Sequence, residues 1–159
     1  MYLLINNFNI NNLFLSEKQK NNILQGSDFY RIFYSDLNVT LNGIYMGYNI
    51  LNINIQKYFN KIKCVFDERE NKKTVVDIID LEKSILYLFQ PILKRRPINT
   101  IEEQLKQNFI KIFTEKNTNY GKYEKINILL KISGIWCDKE NFGLTFRFLF
   151  NHQQENNLK

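Results

Sequence analysis

KINILLKISGIWCDKENFGLTFRFLF, residues 125–150, decides how this chain folds. Ile126, Ile128, Leu130 and Ile132 alternate with Asn127, Leu129, Lys131 and Ser133, and Leu144, Phe146, Phe148 and Phe150 alternate with Thr145, Arg147 and Leu149. A period of two marks strands that bury one face. Charged and polar residues around 137–142, with Gly143 close behind, separate the runs, so the stretch predicts a long antiparallel hairpin. Phe146 and Phe148 share a face with Leu144 and are assigned to the core. The opposite face carries Lys131, Ser133, Thr145 and Arg147, with Trp136 near the turn and Tyr123 near the base. Cations mixed with flat rings suit a phosphate backbone and unstacked bases. An ordinary hairpin with a basic solvent face would give the same pattern.

Outward from the hairpin, the remaining segments read as strands around one substantial helix. Residues 29–34 alternate rings with Arg31 and Ile32. The Asn42-Gly43 dipeptide between residues 37–41 and 44–48 predicts a type I′ hairpin turn. Residues 62–66 form another strand, 67–73 a charged turn, and 74–76 a strand pairing back on 62–66. Leu81, Ile85, Leu88 and Ile92 recur at helical spacing from Asp77 or Asp80 onward, bounded by Pro91. Lys94, Arg95 and Arg96 follow, where cations suit the negative end of the helix dipole. Thr100 and Glu103 match a capping box for a second short helix, and FIKIF, residues 109–113, returns to strand alternation. Near the start, Ser16 and Gln19 offer a capping box for a short helix ended by Gly26, and residues 2–8 read as a strand or a fluid leader.

This order predicts an α+β fold with mainly antiparallel strands: a single OB-like Greek-key barrel with an inserted amphipathic helix, placed between the third and fourth strands. The expected divisions are a leader over 1–27, the barrel domain over 28–150 and a flexible polar tail over 151–159. At 159 residues one core is the default. A hydrophobic fraction of 44% and an aromatic fraction of 14% exclude a disordered chain.

The formal net charge of +6 favours an anionic partner. That total is discounted, because the sequence lacks alanine and is rich in Asn, Ile, Lys, Phe and Tyr, all with A/T-rich codons. Charge placement counts for more. The two cysteines, Cys64 and Cys137, have no second thiol or histidine at metal-ligand spacing and are expected to stay reduced in an intracellular protein. No signal peptide is expected, since the apolar run over residues 1–15 is broken by Asn6, Asn7 and Asn9 and has neither a basic start nor a small-residue cleavage site. No membrane span is expected either, since no window approaches about 18 consecutive apolar residues.

Catalytic groups are sparse. His152 is the only histidine and lies in the polar tail, so a His-dependent base or triad has no centre. Phosphate-binding glycine loops are missing. The acids Asp67, Glu68 and Glu70, and Asp77, Asp80 and Glu82, could in principle hold Mg²⁺, but a charged turn and a helix start explain them. The expectation is therefore no enzyme, no cofactor and no metal. Rings adjoin cations repeatedly in the strands, and the candidate nucleic-acid-binding residues are Arg31, Tyr45, Tyr48, Lys57, Lys63, Lys111, Lys131, Trp136 and Arg147. Tyr45, Tyr48 and Trp136, near turns, are the expected stacking platforms, with Gly134 leaving open space beside Trp136.

Three motifs, LNGIY (41–45), EQL followed by FIKIF (103–113), and KISGIW with GLTFRF (131–148), resemble the single-stranded-DNA-binding proteins of large DNA viruses. In that family a strand ending in a Gly-aromatic turn leads to a closing hairpin strand of the Gly-x-x-Phe/Tyr-x-Phe kind. The resemblance covers about residues 29–150. It implies an OB-type fold, coating of single strands during replication or recombination, and no catalysis. Implied partners are single-stranded DNA, with RNA left open, replication proteins and a second copy of the chain, in a host nucleus or viral replication compartment. The tail, with Glu155 as its one acid, departs from the acidic C-terminus that many replicative binders use for recruitment. The competing expectation is a small β-barrel structural or virion assembly protein whose rings make subunit contacts.

Overall fold

Residues 8–113 and 118–151 are described by the structure, a computed structural model. The decisive hairpin forms where the alternation places it. Strands β9 (Gly121–Cys137) and β10 (Asn141–Phe150) pair antiparallel from Cys137 with Phe142 to Ile128 with Phe150. Asp138 makes the turn by accepting the N–H groups of Glu140 at 2.8 Å and Asn141 at 2.7 Å, and those bonds hold its carboxyl below the usual carboxylate range. Ile132 pairs with Phe146 and Gly134 with Thr145, which leaves Ser133 as an extra residue on β9. This bulge lets Ile132 and Ile135, three apart, both point into the core.

Upstream come β1 (Leu13–Leu15), β2 (Gln19–Lys20), β3 (Asp28–Ser35), β4 (Thr40–Asn42), β5 (Ile44–Tyr58) and β6 (Lys61–Val65). Helix α1 (Lys72–Leu93), β7 (Arg96–Ile98), α2 (Thr100–Leu105) and β8 (Phe109–Phe113) then lead to β9. Strands β9, β5, β6, β8 and β10 hydrogen-bond in that order, and β10 returns to β9. The result is a closed five-stranded barrel. Numbered along the chain, its strands run 1-2-3-5-4 around the wall. All neighbours are antiparallel except β8 and β10. This is the OB-like Greek-key arrangement expected from the sequence. One detail differs: the helices join the second and third barrel strands, not the third and fourth.

The difference arises because residues 28–42 are not barrel wall. They form a hairpin, β3 with β4, turned by Asp36, whose Oδ1 accepts from Asn38 and Val39. The N-terminal half of β3 pairs with the end of β9, and its outer half pairs with β1. Asn42-Gly43 is therefore not a hairpin turn. Gly43, at φ +88°, kinks the chain as it passes from β3 to β9, and a Cβ there would lie 2.9 Å from the Ile132 carbonyl oxygen. Residues 16–26 form no helix. Ser16 instead exchanges hydrogen bonds with the Arg31 backbone, and β2 pairs with β3. Residues 2–7, 114–117 and the tail from His152 lie outside the described residues; Phe8 stacks on Tyr34.

Helix α1 starts earlier than its periodicity suggests and includes residues 74–76, expected as a strand. Its start is fixed from a distance. Asn71 Oδ1 accepts the Leu51 N–H at 2.8 Å while its amide donates to the Leu51 and Asp67 carbonyls, tying the helix to β5. Val75, Ile78, Ile85, Leu86, Phe89 and Leu93 then face the core. Lys94 ends the helix with a left-handed φ of 54°, while Arg95 and Arg96 bond to Asp138 and Asn141 at the β9–β10 turn.

The expected Thr100/Glu103 capping box is absent from α2. Glu82 of α1, fully buried, accepts the N–H groups of Ile101 at 2.9 Å and Glu102 at 2.8 Å and does the capping itself. Burial raises the Glu82 pKa from its ordinary 4.5, the two N–H bonds offsetting only part of that. With the folded value raised, the stabilising contribution is complete below pH 4.5 and is lost as pH rises through the folded value. Glu82→Gln cannot titrate and loses one acceptor, so its offset from the parent is constant apart from that loss. We therefore expect the melting temperature of Glu82→Gln to rise relative to the parent between pH 4 and pH 7. A pH-independent difference in paired thermal melts would show that the carboxylate is not desolvated.

Candidate nucleic-acid interface

Because Ile62 and Cys64 point into the barrel, Lys61, Lys63 and Val65 point out from β6. The same rule turns Phe109, Lys111 and Phe113 outward on β8, Arg147 on β10, and Lys131 on β9. Strand β5 shifts phase at Asn52 (φ 50°), so that Tyr45 faces out before the shift and Tyr58 after it. Register then assembles these side chains. Lys61 lies opposite Phe113, Lys63 opposite Lys111, and Lys131 between Tyr45 and Arg147.

The outcome is a band of interleaved cations and rings around the outer wall. The Lys63 ammonium lies 4.4 Å from the Phe109 ring centroid and 5.6 Å from that of Tyr58; Lys111 lies 5.5 and 5.4 Å from the same two rings. Phe113 sits between Lys61 at 5.1 Å and Arg147 at 4.9 Å, and Lys131 lies 5.4 Å from Tyr45. Among the described residues none of these five cations has an acid partner; the ion pairs there engage Lys18, Arg69, Lys73, Lys83 and Lys106 instead. Like charges directly opposite on a sheet destabilise it, so the Lys63/Lys111 repulsion works against the cation–ring contacts that the two side chains make. Tyr58 and Phe113 remain 38% and 45% exposed, leaving ring surface uncovered.

Five of the nine sequence candidates, Tyr45, Lys63, Lys111, Lys131 and Arg147, fall within the band. Tyr48 does not. It lies three residues from Tyr45, so it faces inward with Met46 and Ile50 and is only 8% exposed; burial, helped by Asp77, holds its phenol above the ordinary range. It is a core residue rather than a stacking platform. Lys57 shares the phase of buried Ile55 and falls on the opposite side of the strand from Tyr58. Arg31 donates to Asn42 Oδ1 at 3.1 Å on the β3–β4 hairpin. Trp136 is half-buried, five residues along β9 from Lys131, about 17 Å away. The space expected beside it at Gly134 is filled: a Cβ there would meet the Phe29 ring at 2.5 Å, and the Trp136 ring itself lies against Gly143.

Four band residues missing from the candidate list are Tyr58, Lys61, Phe109 and Phe113. Period-two phase within KIKC and FIKIF carries that signal for Lys61, Phe109 and Phe113, whereas the phase shift at Asn52 hides it for Tyr58. Cys64 and Cys137 are buried and unpaired, and burial pushes the Cys64 thiol up to about 12, which makes it a poor nucleophile. Asp67 is held by Arg69 and Glu70 by Asn52, and among the described residues no three His, Cys, Asp or Glu side chains gather as a metal ion would require. No described helix is long and apolar enough to cross a membrane. No protein-family model matches this sequence, and no curated protein or solved structure was found to match it.

Proposed function

We propose that this chain is a sequence-independent single-stranded nucleic-acid-binding protein that holds a strand across the outer wall of β6 and β8. The observation that carries the reading is the cation band, which has no acid partner among the described residues, above all Lys63 directly opposite Lys111 between two rings. An anion lying over the band relieves the repulsion that the fold leaves in place. Rings accept the faces of bases only where those bases are unstacked, which favours single strands over duplex. Ammonium groups and ring faces read phosphates and π-surfaces rather than base edges, so no sequence preference is built in. In five-stranded barrels of this type, oligonucleotides bind across the second and third strands, here β6 and β8. The resemblance carried by the three motifs at residues 41–45, 103–113 and 131–148 is the basis for naming DNA exposed in replication or recombination as the substrate.

The test is a fluorescence-anisotropy titration of oligo(dT), a matched duplex and a matched RNA across a salt series. Five phosphate contacts at about 0.7 each give an expected log-log salt slope of about −3.5 on the single strand. Tighter binding to duplex, or affinity indifferent to salt, would overturn the reading. Salt-indifferent self-association would instead favour a subunit interface and the structural-protein alternative.

A further inference from the structure

The turn between β5 and β6 contains a residue that the fold alone does not account for. Tyr58 pairs with Lys61, so Phe59 and Asn60 form the whole connection. Phe59 has a φ of 53°, a conformation that turns of this length give to Gly or Asn and that a bulky residue seldom adopts. Its ring buries almost nothing, being 83% exposed, and touches Tyr58 edge-on at 5.0 Å and 81°. A glycine would be expected to serve the hairpin better on both counts. Three further exposed rings stand at the same end of the barrel: Tyr58, Phe113 opposite Lys61, and Tyr120 beside the start of β9. The Lys61, Lys63 and Lys111 ammonium groups begin immediately next to them. An exposed ring continuous with a cationic track meets the two needs of a single strand, a flat surface for a base and counter-charges for its flanking phosphates.

We propose that Phe59 is a base-stacking residue, receiving an unpaired nucleobase at the hairpin end of the band. The proposal rests on the single-strand reading above and adds to it the residue that grips a base, a role expected from the sequence of Trp136, Tyr45 and Tyr48.

Stability and affinity should move independently. Phe59→Gly relieves the left-handed backbone and is expected to melt at or above the parent temperature, while its affinity for oligo(dT) falls about five- to a hundred-fold. The salt slope stays unchanged, since no cation is removed. Phe59→Leu keeps the Cβ and loses the ring, so it should melt like the parent and bind like Phe59→Gly; Phe59→Tyr should bind like the parent. An abasic oligonucleotide of the same length, offering phosphates without bases, should bind parent and variants alike. If Phe59→Gly binds oligo(dT) as the parent does while the parent shows its salt slope, this proposal fails and the proposed function stands. If all variants weaken equally on abasic and normal strands, Phe59 acts through structure and the proposal fails. If the parent binds no single strand, both readings fail together. A parent that self-associates through Phe59, with the glycine variant monomeric by sedimentation, would give the ring to a subunit contact and overturn the proposal.

Discussion

Phe148→Ala is expected to destabilise the protein by about 3–5 kcal/mol, the cost of emptying an aromatic site in a packed core. Phe148 is 1% exposed and pairs with Leu130 of β9 on one side and Ile112 of β8 on the other, both fully buried. It therefore sits where the barrel closes. At about 2–4 °C per kcal/mol for a chain of this size, the melting temperature should drop by roughly 6–20 °C. Phe146→Ala should cost less, because Phe146 is half-buried and meets Phe148 edge-to-face at 5.8 Å from the rim of the core. The pair also tests the interface indirectly. Arg147 points out only if its two neighbours point in, so a Phe148→Ala variant that melts like the parent would invert the phase of β10 and take Arg147 out of the band, leaving Lys61, Lys63 and Lys111 on β6 and β8 where they are.

Replacing Lys63 and Lys111 together by alanine should give the largest loss of binding with little loss of fold. Two fewer phosphate contacts reduce the salt slope from about −3.5 to about −2.1. Parent and variant then diverge by about 25-fold in affinity as salt falls from 1 M to 0.1 M. The melting temperature should stay within a few degrees of the parent, since the lost cation–ring contacts are offset by removal of two like charges placed directly opposite each other. Equal salt slopes in parallel titrations would mean that these lysines never touch phosphate.

Period two made the barrel wall legible: β9, β10, β6 and β8 lie where alternating residues put them, and β9 departs from strict alternation at Ser133, where the bulge brings Ile135 into the core. What the sequence concealed is set by partners far along the chain. Asn42-Gly43 reads as a turn because Gly permits positive φ, yet Gly43 uses that freedom to pass close to Ile132. The start of α1 depends on Leu51, and the cap of α2 on Glu82, and neither leaves a local mark. Half of the candidate site could be read from phase alone, and phase also excludes placing Tyr45 and Tyr48, three apart on one strand, on a single face. Pairing was the missing quantity. Nothing in FIKIF or KIKC says that Lys63 will lie opposite Lys111.

Strand β9 closes the barrel, carries the β3–β4 hairpin and follows almost everything else in the chain. During synthesis, β5 is complete at Tyr58 while β9 is not complete until Cys137. At about 5–20 residues per second that interval is roughly 4–16 s. Throughout it, one edge of β5, with its row of isoleucines, stays open to pairing with another nascent chain. The ribosome-bound intermediate is thus the form of this protein most exposed to aggregation, and its yield in cells should depend on translation speed and chaperone supply more than on the stability of the finished barrel.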